Sequence, residues 1–502
     1  MNKKPFLTVI AALTCICAAG CAAPKKNSVE QGEKTVFPVS MTEDTVSYSM
    51  GDVMPFYDGG VMNIYHLQNS RGTLSLFYHP ISRITTSDFV NYTDCGVAIN
   101  YEEDSKSIDA ALGTGSFIKD KEGNFHCFYT GHNDNGQDEG LKFNEAVRHA
   151  VSYDNQQTWV KDEEFILFGY ENDFRDPYVY YDADEDLYNM LVTTRDFGAG
   201  VIKRYTADSL NATAEQWRDN GVFFRNDAGD YNMECPSYIE YNGYYYLAYS
   251  EQGENRVTHY RYKTEKNGGW KRFERDSIDA SGFYAGRLEK AEDKLYAFAW
   301  CANLTGGSTG EFDWGGNLVA HEIKQLSNGE LCAVMVSNVK QTFSKQVSYS
   351  FIDGEKIESA SFGKTFSAKG AERLATNITR ISFKFSVDDF GGNFGITFGL
   401  DGKYNNRLGA SAVAFDAKNS RLVCYNGISS IVRYGEPLAS VPFAYTAGKE
   451  YGVDIIIEGE ILTVYLDDTV CLTARFPDMR RKNFAFYSNG NQVNFKDIAF
   501  YE

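Results

Sequence analysis

The stretch "FRDPYVYYDADEDLYNMLVTT", residues 174–194, reads as an aromatic strand, an acidic turn and a second strand, yet it opens on Arg175 and Asp176, charges that a strand's own core cannot use. The same plan recurs four times: "GDVMPFYDGGVMNIYHL" from Gly51, "GTGSFIKDKEGNFHCFYTG" from Gly113, "ECPSYIEYNGYYYLAYSE" from Glu234 and "FYAGRLEKAEDKLYAFAW" from Phe283. The copies start about 50 to 65 residues apart, the length that four antiparallel strands and their loops consume. The repeat therefore predicts a five-bladed β-propeller, in which the openings of distant segments converge on one central channel. The polar segments "TTSDFVNYTD", "AVSYDNQQTWVKD" and "YTADSLNATAEQWRDN" read as outer strands and turns of the same blades.

Composition agrees with an all-β chain. Hydrophobic residues make up 43% and charged residues 23% of the 502 positions, with 34 Tyr and 35 Phe, a bias that suits strands and carbohydrate-stacking surfaces. Sustained 3.6-residue periodicity is almost absent. The repeat stops after "GNLVAHEIKQLSNGELCAVM", and shorter alternating strands such as "ITRISFKFSVDD" and "EYGVDIIIEGEILTVYLDD" follow, which predicts a β-sandwich over residues 341–502 behind a propeller over residues 41–340.

Ahead of the propeller, Lys3 and Lys4 precede an apolar run to Ala19 and the segment "AAGC". Residues 1–20 read as a secretion signal, too short in their apolar part to span a membrane as a helix. The segment resembles a bacterial lipoprotein signal, with Ala18 where such signals usually carry Leu. The resemblance implies a lipidated Cys21, a polar tether over residues 21–40, and a protein secreted or held at the cell surface or periplasmic membrane through its N-terminus alone. Loss of the signal leaves 47 basic against 68 acidic side chains, a charge near −21 that argues against nucleic acid or acidic polymers as partners and favours a neutral substrate. The seven remaining cysteines are scattered and read as buried free thiols. No phosphate loop, HExxH or CxxC motif occurs, and neither a metal nor an organic cofactor is called for. The segment "HNDNGQDEG" from His132 offers oxygen ligands without the spacing of a calcium loop and reads as a solvated turn.

The chemistry sits at the blade openings: Asp52, Arg175 with Asp176, and Glu234. Carboxyls held close raise one another's pKa, which lets one act as an acid while another stays ionised, the division of labour that glycoside hydrolysis needs. "FRDP", "MECP", "FYA" with the strand ending at Trp300, and "WGGNLVAHEIKQLSNGEL" are similar, in order and spacing, to the motifs of glycoside hydrolase family 32, the β-fructosidases. That resemblance covers residues 45–335 and extends to the trailing sandwich. It implies a retaining hydrolase of fructans, fructo-oligosaccharides or sucrose, with Asp52 as nucleophile, Glu234 as acid and base, and Asp176 stabilising the transition state. Arg175, Cys235, Ser116, Gln68, His79, Tyr284 and Trp314 would bind substrate.

The first blade departs from the family pattern. "SYSMGDVMPFYDGG" stands where an Asn-Asp-Pro-Asn-Gly turn is usual, with Gly51 replacing the Asn and Asp58 as a second acid nearby, and the expected Trp-Gly-His is missing from a region holding His79 and Arg83. Two other readings are consistent with the sequence: an inverting arabinanase or xylosidase on the related five-bladed fold, and a lipoprotein that binds glycans without cleaving them.

Overall fold

A computed structural model describes residues 34–502 apart from 42–46, 70–78, 139, 172, 254–255, 305–311, 351–358, 400–410, 428–434 and 477–482. Residues 1–20 and Cys21 lie outside the described residues. No described helix is long and apolar enough to cross a membrane.

The five repeats form five antiparallel blades arranged as a propeller. Their innermost strands are Ser47–Asp58, Ala111–Lys119, Phe174–Asp182, Met233–Tyr241 and Tyr284–Ala291. Blades II and III are complete four-stranded sheets, while blade IV has three strands and completes its outer edge with the single bridges His259–Ser277 and Tyr262–Lys271. Blade V pairs with blade I through Gly316 and Met50, which closes the ring between its first and last members. The first hairpins of blades I, II, III and IV turn on Gly, Asp or Asn at positive φ, whereas that of blade V uses Glu292 (φ 55°). Asn242 (φ 47°) and Gly243 (φ 80°) join the first two strands of blade IV as an Asn-Gly turn whose twist matches the strands it connects.

Alternation sets which residues fill the space between blades. In blade V, Leu295, Ala297 and Ala299 are fully buried, as are Phe298 and Trp300 on the opposite face, because an inner strand is covered by neighbouring blades on both sides.

The C-terminal unit is a sandwich of a seven-stranded and a six-stranded antiparallel sheet. Its core is aromatic: Phe383 meets Phe486 edge-on at 5.3 Å, and Phe385 meets Phe394 at 5.0 Å. The sandwich is fastened to blade V by buried polar bonds. Thr473 donates its backbone N–H to Asp279 (2.8 Å), His321 lies between Asp279 (3.1 Å) and the Tyr465 hydroxyl (3.0 Å), and Arg475 donates to the Ala302 carbonyl (2.7 Å). All seven described cysteines are free and six are buried; Cys95 is exposed.

Candidate active site

Every innermost strand breaks its pairing at the same place. The register shifts lie between Gly51 and Met54, Gly113 and Gly115, Arg175 and Tyr178, Glu234 and Ser237, and Tyr284 and Arg287. A bulge re-aims the side chains beside it, and four of these five carry a non-glycine residue in the left-handed region: Asp52 (φ 36°), Asp176 (φ 58°), Cys235 (φ 54°) and Ala285 (φ 55°). The charges that open "FRDPYV" thus belong to a bulge that turns them out of the blade and into the channel.

The bulges define two tiers. Asp52, Thr114, Asp176, Cys235 and Ala285 occupy matching positions, whereas Glu234 stands one residue earlier and matches Arg175 and Tyr284. The three carboxylates expected at the blade openings therefore divide: two aspartates share a tier, and the glutamate belongs to the tier that carries Arg175 and Tyr284. A cavity of about 490 Å³ includes both tiers in its walls.

In the first tier, Asp52 accepts hydrogen bonds from the Trp300 indole (3.1 Å) and the Thr114 hydroxyl (3.1 Å). Burial, reinforced by the Glu234 charge, raises its carboxyl to about 6, against the pull of those two donors and of Arg287. Asp176 is buried, accepts the Cys235 backbone N–H (2.9 Å), and gives its own N–H to Thr130 Oγ1 (2.9 Å). Burial pushes the Asp176 carboxyl up, and the Arg175 guanidinium opposes that rise while the Glu234 and Asp52 charges add to it.

In the second tier, Glu234 receives Arg175 Nη2 at 3.0 Å and the Tyr284 hydroxyl. Arg175 is also bound by Asp173 (2.6 Å), Glu145 (3.2 Å) and Gln252 (3.2 Å). Both of its amino groups are therefore engaged by protein acceptors, so it holds Glu234 in place from the cavity wall. Burial would raise the Glu145 carboxyl, but His132, Arg175 and the Phe174 amide outweigh it and hold it below its usual value.

The remaining expected residues divide. Tyr284, Trp314, His79 and Cys235 line the cavity. The Trp314 ring lies 6.0 Å from Trp300 and 4.4 Å from His79, and burial together with the His132 charge pulls His79 down to about 4. Ser116 and Gln68 are outside the cavity. Ser116 Oγ accepts the Val179 N–H (2.8 Å) and so ties blade II to blade III, while Gln68 accepts the Ser82 hydroxyl (2.5 Å) within blade I. Arg83 donates to the Tyr65 hydroxyl (3.4 Å). Asp58 pairs with Lys119 (3.0 Å) at the far end of its strand, about 20 Å along the chain from Asp52 at 3.3 Å per residue.

Sequence reasoning missed Thr114, Glu145, Asp173, His132 and Gln252. The segment read as a solvated turn contributes His132 and Asp134 to the cavity wall, 2.8 Å apart. Trp300 was visible only as the end of an aromatic strand; its indole N–H on Asp52 makes it part of the site.

A propeller channel with an aspartate and a glutamate in different settings on facing blades, walled by aromatic rings, is the architecture of a glycoside hydrolase. Residues 55–333 match the model of the glycosyl hydrolases family 32 N-terminal domain, more than half of the chain, and the protein belongs to that family. The matched segment begins three residues after Asp52, where the first-blade motif departs from the usual pattern. A search of curated protein sequences finds no match. Among solved structures, the chain is similar to the Bombyx mori GH32 β-fructofuranosidase BmSUC1 (TM-score 0.68, 15% identity, 94% of this chain and 93% of that one). It is also similar to sucrose-6-phosphate hydrolase from Lactobacillus gasseri (0.70, 15%, 93% and 92%) and to exo-inulinase from Aspergillus awamori (0.69, 14%, 90% and 95%). These likenesses extend through both domains.

Proposed function

We propose that the protein hydrolyses β-fructofuranosidic bonds of sucrose or fructans by double displacement with retention. Asp52 attacks the anomeric carbon and forms a fructosyl-enzyme as the glycosidic C–O bond breaks, and Glu234 gives its proton to the departing oxygen. Glu234 then takes a proton from water, which attacks the same carbon and releases Asp52. Asp176 accepts hydrogen bonds from fructose hydroxyls, which strengthen as positive charge develops on the ring.

The observation that carries this reading is the different setting of the two carboxyls. Asp52 receives an indole N–H and a hydroxyl, donors that favour its anion and aim it, while Glu234 is oriented by Arg175 and Tyr284 from the neighbouring tier. The relatives named above as a fructofuranosidase, a sucrose-6-phosphate hydrolase and an inulinase support fructose as the sugar of the attacked bond. Hydrolysis of sucrose, inulin and levan by the wild type, with Glu234→Ala as control, tests it: fructose release by the wild type alone is expected, and equal release by both chains contradicts it.

The lipoprotein-like signal supports a mature chain anchored through Cys21. In a bacterial host, the protein is expected in the membrane fraction with a labelled fatty acid attached, and Cys21→Ala is expected to release it. A wild-type protein found wholly in the soluble fraction contradicts the anchor.

A further inference from the structure

The innermost strands of blades III and IV run about 20 Å past the site, six residues at 3.3 Å each from Asp176 to Asp182 and from Glu234 to Glu240. At that far end a cavity of about 400 Å³ opens at the lower mouth of the channel, between the ends of blades III, IV and V. A second cavity, of about 360 Å³, runs outward between blades III and IV. The two share Tyr180, Tyr238, Asp182 and Lys266, so they form one groove from the channel mouth to the propeller's rim.

The groove's walls are aromatic along its whole length. Tyr180 and Tyr238 lie 5.0 Å apart, Tyr238 and Tyr245 are nearly parallel at 6.3 Å, and Phe223 and Trp270 continue the surface outward at 5.6 Å. None of these rings is exposed as an isolated surface residue; each is half-buried with one part open to the groove. Among the described residues the hydroxyls of Tyr180 and Tyr238 find no hydrogen-bond partner, although their rings are ordered by packing.

Charge selects the occupant. Lys266 bridges the groove to Asp182 (2.5 Å) and Asp184 (3.1 Å), and Lys263 is sunk beneath the Trp270 ring at 4.3 Å with its ammonium on the Lys266 carbonyl (2.7 Å). Across the two cavities Arg204, Lys263, Lys266 and Lys290 are balanced by Asp182, Asp184, Glu185 and Glu240, and burial raises the Glu289 carboxyl to about 8, so the walls carry no net positive charge to draw an anionic polymer. Ring faces with free hydroxyls and carboxylate acceptors suit a ligand with apolar C–H faces and many hydroxyls. We propose that this groove is a second glycan site that holds a neutral oligosaccharide chain at the end of the propeller opposite the catalytic cavity. The site is independent of which sugar the catalytic cavity cleaves.

The test is affinity electrophoresis of the full chain, carrying Glu234→Gln to suppress hydrolysis, through gels containing levan, inulin, arabinan or chondroitin sulfate. Retardation is expected in at least one neutral polysaccharide. Tyr180→Ala with Tyr238→Ala is expected to weaken it at least fivefold, and the rim variant Tyr245→Ala, which leaves the inner packing intact, to weaken it measurably. In the chain with Glu234 restored, the same groove variants are expected to keep hydrolysis of a small substrate within twofold. Retardation in no neutral polysaccharide, retardation unchanged in both groove variants, or retardation by chondroitin sulfate alone would overturn the proposal. Because retention is read without turnover, failure of the fructosidase reading leaves this outcome interpretable.

Discussion

The Arg175 guanidinium lies 3.0 Å from the Glu234 carboxylate while its other amino group is held by Asp173 and Glu145, so a single cation orients the proposed acid and base from the neighbouring blade. Removing it takes the guanidinium from Glu234, while Asp173 keeps Arg195 (2.6 Å) and Glu145 keeps His132 (3.5 Å). Arg175→Met is expected to destabilise the fold by about 3–5 kcal/mol, the range for breaking a buried ion pair on one side, and to lower kcat at least 100-fold. Arg175→Lys, which keeps the charge and loses the fork, is expected to recover most of the stability and little of the activity. Urea melts and kinetics of the two variants side by side check this.

Asp52 is held against its own ionisation, and its replacement should reveal the strain. Its carboxyl stands at about 6 in the folded chain against 3.8 ordinarily, so between those pH values the folded state binds more protons than the unfolded. Stability contributed by this group therefore falls as pH rises from about 4 to 6 and stays low above that. Asp52→Asn is expected to abolish turnover and to raise stability at pH 7 by roughly 1–3 kcal/mol, a gain that disappears near pH 4. Thermal melts of both chains across that range measure it.

In the proposed mechanism the same carboxyl sets the acid limb of the rate profile. With the ionised form required for attack, kcat/KM is expected to fall as pH drops below about 6. Trp300→Phe removes one of the two donors that favour the anion, and the limb is expected to move to higher pH, whereas a purely structural loss would lower the rate at every pH alike.

Gly51 explains part of the unusual first blade. A Cβ at this position would come within 2.3 Å of the Trp314 ring, so the glycine makes room for an indole in the cavity wall. Gly51→Ala is expected to displace Trp314, raise KM and lower kcat/KM about tenfold or more, with the fold intact by circular dichroism.

What the sequence makes legible follows from how local each signal is. The five blades are readable because strand alternation and turns repeat within each segment. Asp176, Arg175 and Glu234 are readable because "RDP" and "EC" are each short contiguous motifs, set about 58 residues apart at the bulges of adjacent blades. Thr114 and Trp300 are not, because their only distinction is a hydrogen bond to Asp52 from blades II and V, set by ring closure. Ser116 and Gln68 mislead for a related reason: both are polar residues in strands near the site, but one lies beyond the bulge of blade II and the other on the second strand of blade I, where side chains face other strands. The tier to which Glu234 belongs depends on a one-residue shift in register, which only the pairing partners disclose.

The central claim, attack by Asp52 through a fructosyl-enzyme, is tested most directly by hydrolysis of sucrose or a short fructan in the presence of methanol, with the configuration of the methyl fructofuranoside read by NMR. Two displacements predict the methyl β-fructofuranoside, formed by the wild type and absent with Asp52→Asn. The methyl α-fructofuranoside, or a methyl glycoside formed equally well without the Asp52 carboxylate, would contradict the account.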